Sequence, residues 1–245
     1  MSDRLRLVAF SDVHGNPTAL DAVLADVEQA GGADVFWVLG DHAALGPEPV
    51  EALATLSALP DATFTRGNTD RYVLTGDLPP PSIGDPVQSA AFFAWTRGAL
   101  TAGSWLEWLE AHALEVRLTL PDGTRVLGVH ASPGRDDGLG LRAEQSEDEL
   151  EELVGGCVAD LVLVGHTHMP IDRTHRGVRL VNLGSVSLPM RDDPRATYAV
   201  VDAGPDGHTV ELRRVEYDYG RVVDGVGRVR APFADLVCGI YAERA

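Results

Sequence analysis

The feature that most constrains the fold is a set of short polar blocks, each of which directly follows an apolar run as long as a β-strand. Three of the blocks carry histidine, and two pair a glycine with aspartate or asparagine. In chain order they are Ser11-Asp12-Val13-His14-Gly15-Asn16, Gly40-Asp41, Gly67-Asn68, Val129-His130-Ala131-Ser132 and Gly165-His166-Thr167-His168. Ligands of open α/β sheets bind at the carboxyl ends of the strands. The recurrence therefore predicts strands whose carboxyl ends meet at one site.

The spacing of apolar residues predicts an α/β protein. Strands expected at 5–10, 34–39 and 62–65 alternate with helices that begin at Pro17 and Glu48, as in a parallel sheet with crossover helices. Later runs at 178–183, 197–201 and 209–215 alternate in the manner of an antiparallel sheet. We therefore expect a four-layer α-β-β-α sandwich of two mixed β-sheets flanked by helices, in a single domain over residues 1–245. An aromatic-rich segment at about 85–112 is expected to be core, with a helical cap or lid as the alternative.

Charge and cysteine content narrow the partners and the compartment. The chain of 245 residues has a net charge of −17, from 37 acidic and 20 basic residues. Such a surface disfavours duplex nucleic acid and anionic membranes. Cys157 and Cys238 are expected to be buried free thiols, which suits a reducing compartment. Residues 1–4 lead directly into a strand and no apolar run approaches ~20 residues, so we expect a cytoplasmic protein without a signal peptide or membrane span.

The polar blocks together supply the donor set of a two-metal hydrolytic centre. The candidate ligands are Asp12, His14, Asp41, Asn68, His130, His166 and His168. Nitrogen and oxygen donors without thiolate favour Mn²⁺, Fe or Zn²⁺. Alternate side chains of an extended chain point the same way, which predicts that both ligands of an Asp-x-His or His-x-His block reach one ion. The two oxygens of Asp41 are expected to bridge two ions, and Gly40 and Gly67 to allow sharp turns before the ligands.

These motifs, in this order, resemble the calcineurin-like metallophosphoesterase superfamily from about residue 8 to residue 188. The resemblance is closest to the small bacterial and archaeal phosphodiesterase branch. It includes the first polar block and also Gly46-Pro47-Glu48-Pro49 and Asn182-Leu183-Gly184-Ser185-Val186. The fold that this resemblance implies, a β-sandwich flanked by helices, agrees with the pattern of the strands.

The resemblance also implies how the ligands are shared between two divalent ions. One ion would take Asp12, His14, Asp41 and His168, and the other would take Asp41, Asn68, His130 and His166. A hydroxide that bridges the ions would attack phosphorus, while Asn68 also contacts a phosphate oxygen, so Asp41 and Asn68 are the expected catalytic residues. Mn²⁺ is the expected metal, with Fe, Zn²⁺ or Ni²⁺ as alternatives.

The chain departs from the family pattern at two places. Many members have a histidine after Gly-Asn that protonates the leaving group, whereas this chain has Thr69, which is far too weak an acid. The loss favours diesters and good leaving groups. Ala44-Leu45 stands where the branch commonly has Gly-Tyr, which predicts an altered pocket wall.

His42 is a candidate substitute acid, with a solvent-facing loop histidine as the simpler interpretation. Arg71 and Arg135 could pair with phosphate or be solvated or salt-bridged.

The resemblance therefore implies a metal-dependent phosphodiesterase that acts on a small phosphate ester or nucleotide. A dinucleoside polyphosphate hydrolase is one alternative, for which rings between Phe92 and Trp108 would stack on bases. A phosphoprotein phosphatase is a second. A non-catalytic metal-binding scaffold of the same fold is a third, and the completeness of the ligand set argues against it.

Overall fold

The computed structural model describes residues 4–80, 85–189 and 193–241. The strands within these ranges are β1 (Leu5–Phe10), β2 (Val35–Leu39), β3 (Ala62–Thr65), β4 (Glu115–Thr119), β5 (Arg125–Val129), β6 (Leu161–Val164), β7 (Ile171–His175), β8 (Val178–Asn182), β9 (Ala196–Gly204) and β10 (Gly207–Val215). The helices are α1 (Pro17–Gln29), α2 (Pro49–Ser57), α3 (Asn68–Thr75), α4 (Pro86–Leu100), α5 (Trp105–Glu110), α6 (Glu147–Val154), α7 (Tyr219–Val229) and α8 (Ala234–Tyr241).

The strands form two five-stranded mixed sheets, as predicted. The order is β10-β9-β1-β2-β3 in the first sheet and β4-β5-β6-β8-β7 in the second. Strands β1, β2 and β3 are parallel to one another, and so are β5, β6 and β8. The remaining ladders, β9 with β1 and β10, β4 with β5, and β7 with β8, are antiparallel.

One prediction about pairing was correct only in part. Alternation at 178–183, 197–201 and 209–215 predicted an antiparallel sheet. β9 and β10 do form an antiparallel ladder in the first sheet, whereas β8 lies in the second sheet, antiparallel to β7 but parallel to β6. Alternation reports that one face of a strand is more buried than the other, and it does not identify the neighbouring strand.

The two sheets pack face to face, with helices on both outer sides. In β1, Leu7 and Ala9 contact the second sheet, while Val8 and Phe10 contact the helices. The outer face of the second sheet is covered by α6 through Leu150. The four-layer sandwich is therefore confirmed, with most of the helices on the first sheet. The assignment of residues 1–245 to one domain stays a prediction.

The aromatic-rich segment belongs to the helical layer of the first sheet. Phe93 of α4 and Leu109 of α5 are buried in its core, and Trp95 and Trp108 pack against the same cluster. These helices therefore contribute to the core.

Two further observations concern the cysteines and the length of the helices. Cys157 and Cys238 are free, but both are half-buried, in contrast to the buried thiols that were expected. In the described ranges no helix is both long enough and apolar enough to cross a bilayer.

Candidate metal centre

The seven predicted ligands all follow the carboxyl ends of parallel strands. Asp12 and His14 follow β1, Asp41 follows β2, and Asn68 follows β3 as the first residue of α3. In the second sheet His130 follows β5 directly, and the His166-Thr167-His168 block follows β6. Because the two sheets face each other, these ends form one cluster, in which Asp12 lies with His14 and His168 on one side and with Asp41 and His130 on the other.

Five of the seven candidate ligands have left-handed, not extended, backbone. Asp12 and His14 have φ angles of 59° and 49°, and His166 and His168 have 68° and 55°. Asp41 has a φ of 56°, so these ligands are half of the ten non-glycine residues with positive φ in the described part of the chain. The extended-chain explanation for the paired ligands was therefore wrong. Asp12 and His14 do lie together, but His168 joins them while His166 lies beside Asn68, so the two histidines of the second block face different halves of the cluster. Residues held in this costly conformation concentrate at functional sites, where the surrounding structure determines them.

Glycines allow the strand ends to approach one another. Gly40 has a φ of 86°, and a Cβ atom there would lie 2.7 Å from both the Cα of Gly67 and the Nδ1 of His130. Gly67 has an ordinary φ of −96°, so it is required for a different reason. A Cβ atom on Gly67 would overlap the carboxylate and amide of Asp41. Gly40 provides the expected sharp turn, whereas Gly67 provides space.

Each candidate histidine directs one ring nitrogen at a backbone carbonyl. The Nδ1 atoms of His14, His130 and His168 lie 2.9, 2.7 and 2.6 Å from the carbonyls of Ala44, Leu39 and Leu188, and Nε2 of His166 lies 2.9 Å from that of Gly138. A carbonyl accepts only, so the facing nitrogen must carry a proton. In the neutral ring the other nitrogen then presents its lone pair to the cluster. Metal-ligating histidines are held in this way.

The groups that face the centre are all acceptors when the rings are neutral. Nε2 of His14 is 3.2 Å from Nε2 of His168, which is 3.2 Å from Oδ1 of Asp12. Oδ1 of Asn68 is 3.0 Å from Nε2 of His130 and 2.9 Å from Nδ1 of His166. Among the described residues, buried Oδ1 of Asp12 has no hydrogen-bond partner. Converging lone pairs repel unless a cation lies between them, so the residues fit a metal centre.

The charge balance of the cluster also favours a bound cation. Burial lowers the pKa of His130, but the carboxylates of Asp41 and Asp12 raise it to about 10. Burial raises the pKa of Asp12, but neighbouring His168 and His130 hold it below the usual value. Burial keeps the pKa of His14 low. The two buried carboxylates therefore favour positive charge in the cluster, since they raise the pKa of both His130 and His168, and divalent ions bound there would supply that charge.

The two oxygens of Asp41 have different surroundings. Its Oδ1 accepts a hydrogen bond of 2.9 Å from the amide of Thr69. Its Oδ2 lies 3.4 Å from Nε2 of His130 and 3.8 Å from Nε2 of His14. Oδ2 therefore lies between the two halves of the cluster. These contacts favour Oδ2 as the oxygen shared by two ions, and a bridge through both oxygens stays a prediction.

Asp70, which the sequence motifs did not single out, connects two of the ligand-bearing loops. Its Oδ2 accepts hydrogen bonds of 2.9 Å from the amides of both Asp41 and Gly67. Its Oδ1 accepts one from the amide of His42, whose Nδ1 lies 2.8 Å from Oδ2. Asp70 is three residues beyond Gly67, the spacing at which a carboxylate reaches back to the start of a helix. That spacing was the signal that could have revealed it.

His42 is neither a substitute acid in the centre nor a solvent-facing residue. It is fully buried, and its ring packs against Phe64, Trp108 and His112, with ring centroids 5.4–5.8 Å away. Within the described part of the chain, this ring contacts those aromatic residues and Asp70, and none of the seven candidate ligands. The contact between its Nδ1 and Asp70 holds the ring towards the helical layer.

The two candidate phosphate-binding arginines have different surroundings. Arg71 lies in α3, and its Nε is 3.0 Å from Asp136 while a terminal nitrogen is 2.6 Å from Asp137. Burial opposes its charge, but these carboxylates raise the pKa of its guanidinium. Arg71 is thus salt-bridged, the simpler of the two interpretations. Arg135 is exposed, with no ion pair to any residue that the structure describes.

Comparison with known proteins identifies the family and agrees with the fold. The model of the calcineurin-like phosphoesterase superfamily domain matches residues 5–206. An uncharacterized protein from Methanocaldococcus jannaschii is 26% identical over 242 residues, which cover 92% of this chain and 93% of that protein. A metallophosphoesterase from Sphaerobacter thermophilus is 27% identical, with a TM-score of 0.77 and coverage of 97% and 98%. A hypothetical protein from Pyrococcus horikoshii OT3 shares the fold, at 20% identity, a TM-score of 0.80 and 96% coverage of both chains.

The chain therefore belongs to the calcineurin-like phosphoesterase superfamily. This confirms the family that the strand-end motifs indicated. The family is metal-dependent and its activity is phosphoester hydrolysis. The Asp and His clusters described above are the candidate metal-binding residues in this chain.

Proposed function

We propose that this protein is a phosphodiesterase that uses two divalent metal ions, with Mn²⁺ as the preferred metal. The observation that carries the proposal is the orientation of the four histidines. Each ring is held by a backbone carbonyl, so that its free nitrogen faces a buried carboxylate or amide oxygen. Asp12, His14 and His168 would hold one ion, Asn68, His130 and His166 the other, and Oδ2 of Asp41 would be shared. Ions bound there would activate water and offset the negative charge of the phosphate.

The residues around the centre orient the substrate. Oδ1 of Asn68 faces the two imidazoles, which leaves the NH₂ group of the same amide to donate to a phosphate oxygen. In hydrolysis, the oxygen of water forms a bond to phosphorus, the P–O bond to one ester group breaks, and that group leaves as an alcohol or phenol with a proton from water. Neither candidate for the acid is placed to protonate the leaving group, because Thr69 is far too weak an acid and His42 is buried among aromatic rings away from the centre. This favours diesters with good leaving groups.

We also propose that the substrate is small and that the protein works in the cytoplasm. The net charge of −17 disfavours duplex nucleic acid and anionic membranes. The free, half-buried thiols of Cys157 and Cys238 suit a reducing compartment.

The test is hydrolysis of bis(p-nitrophenyl) phosphate and p-nitrophenyl phosphate with added Mn²⁺. We expect a higher kcat/KM for the diester.

Asp41→Asn should reduce the kcat/KM for the diester by more than about 100-fold, because the variant has an NH₂ group where a cation is expected. Changing a residue that only supports a metal ligand already lowers metal affinity or activity by about 10–100-fold. Asp224→Asn, a matched change on the exposed face of α7, should have no effect. Absence of metal-dependent turnover on both esters would contradict the enzymatic proposal, and preference for the monoester would contradict the diesterase assignment.

A further inference from the structure

An apolar cleft lies directly beside the candidate metal centre. It has a volume of about 280 Å³ and is formed mainly between α3 and α4. Its walls include Leu45, Tyr72, Phe92 and Phe93, and Asn68 is part of its lining. Because Oδ1 of Asn68 also meets two histidines of the cluster, the cleft and the centre share a residue. A phosphate in contact with Asn68 would therefore place one of its ester groups within reach of the cleft.

The walls of the cleft are held by packing that does not depend on a ligand. The rings of Tyr72 and Phe93 are 5.1 Å apart and tilted at 56°. Phe92 packs edge-on against Phe233 at 5.9 Å. Tyr72 and Phe93 are only 3% and 6% exposed, so the shape of the cleft is set by the core of the helical layer. Preformed apolar clefts with a few polar groups are typical of binding sites for small organic groups.

The charge of the cleft selects an uncharged group. No arginine is among the described residues that line it, and the carboxylate of Asp85 caps α4 at its edge. A cavity beside His168 is lined instead by Arg195 and Arg214, which both pair with Asp193. A second anionic group would therefore be repelled from the apolar cleft. The volume falls just below the range of about 300–1,000 Å³ that is typical of drug-sized ligands, which suits a single ring.

We propose that this cleft binds one uncharged, apolar ester group of the substrate, about the size of an aromatic ring, while the phosphate lies against Asn68. The inference rests on the proposed phosphodiesterase function and narrows its substrates to diesters with an aryl or similarly bulky apolar group. The altered wall at Leu45 and the small side chain of Thr69 both line this cleft. The two departures from the family pattern therefore meet at one subsite.

Two non-hydrolysable probes test the proposal on the Mn²⁺-loaded protein. Phenylphosphonate and methylphosphonate present the same anionic head group and differ only in the group that would enter the cleft. We expect calorimetry to show phenylphosphonate binding at least about tenfold more tightly, the effect of filling an apolar pocket. The same ratio should appear in their inhibition constants against bis(p-nitrophenyl) phosphate.

Two variants of α4 test whether the difference in affinity between the two phosphonates depends on the cleft. Gln88 is exposed and lines the cleft, so Gln88→Trp should fill it and bring the ratio of the two affinities towards one. Ala94→Trp adds the same side chain on an exposed position outside the lining, and the ratio should stay at the wild-type value. Equal affinities in the wild type, or a ratio that Gln88→Trp leaves intact, would overturn the inference while the phosphodiesterase proposal stands. If neither phosphonate binds and no ester is hydrolysed, both proposals fail.

Discussion

The strand-end cluster and the β7–β8 hairpin both combine histidine with left-handed backbone, for different reasons. In the hairpin, Arg176 and Gly177 have φ angles of 46° and 85°, the pattern of an ordinary two-residue turn. Beside it, the two ring nitrogens of His175 lie 2.6 and 2.9 Å from carboxylates of Glu147 and Glu151. Carboxylates on both sides favour a protonated ring. In the cluster, by contrast, five of the seven ligands are themselves left-handed, and each ring has a carbonyl on one side.

The difference shows how a chain distinguishes a metal-binding histidine from one that stabilises the fold. A carbonyl partner holds the ring in one tautomer and leaves a lone pair for a metal. Two carboxylate partners favour a ring that is protonated on both nitrogens, and such a ring has no lone pair for a metal. Four predictions, given in order of decreasing effect, test this contrast.

The largest effect is expected for Asp12→Asn, which changes the carboxylate that both halves of the cluster contact. Oδ2 of Asp12 already accepts from Ser11 and from the amide of His166. The introduced NH₂ group would therefore face the centre at Oδ1 and repel a cation. We expect loss of bound Mn²⁺ and a decrease in kcat/KM of more than about 100-fold. Metal analysis of the purified variant checks this, and retention of two ions per chain would contradict it.

The second effect is expected for Asp70→Asn, which affects the position of Asp41 without touching the centre. One side-chain oxygen and one NH₂ group would replace a carboxylate that now accepts from three backbone amides. We expect an apparent affinity for Mn²⁺ that is about 10–100-fold weaker. We also expect unfolding to become easier by about 1–3 kcal/mol. If stability falls but metal affinity does not, Asp70 acts only on the fold.

The third prediction compares two glycines with nearly equal φ angles, Gly40 at 86° and Gly177 at 85°. A Cβ atom on Gly177 would have nothing within 4 Å, whereas one on Gly40 would lie 2.7 Å from atoms of Gly67 and His130. Gly177→Ala should cost about 1–2 kcal/mol from backbone strain alone. Gly40→Ala should cost at least about 1 kcal/mol more, from overpacking. Urea unfolding of both variants measures this difference, and equal costs would show that close approach at the centre is unimportant.

The smallest effect is the pH dependence contributed by His175. The side chains of Glu151 and Glu147 raise the pKa of His175 above the ordinary histidine value of 6.5 in the folded protein. The protonated ring is therefore favoured in the folded state. Its stabilising contribution is fully present below pH 6.5 and is lost as pH rises through the raised pKa. The difference in unfolding free energy between wild type and His175→Gln should be larger at pH 5.5 than at pH 9. A constant difference would contradict the protonated ion pair.

The sequence was sufficient to predict the candidate ligands and the layers, because both depend on local patterns. A polar block after an apolar run predicts the carboxyl end of a buried strand wherever that strand pairs. The pairing of β8 could not be predicted, since its alternation is the same beside a parallel or an antiparallel neighbour. The role of Asp70 also required the fold, because it depends on the distance between two loops that are 28 residues apart in the chain.

The reason why the ligands converge was likewise not accessible from the sequence. Extended geometry was a sufficient explanation for Asp12 and His14, but the structure uses left-handed residues after β1. Left-handed conformations of non-glycine residues are uncommon and are imposed by tertiary contacts. Here the amides of Asp12 and His14 donate to the carbonyls of Gly40 and Asp41. Residue types therefore predicted the chemistry of the site, while tertiary contacts determine its geometry.

The most direct test of the two-ion centre is anomalous scattering at the manganese edge from crystals grown with Mn²⁺. We expect two peaks, one on each side of Oδ2 of Asp41. One should lie among the side chains that follow β1 together with His168, and the other among Asn68, His130 and His166. A single peak, or peaks away from these side chains, would contradict the account.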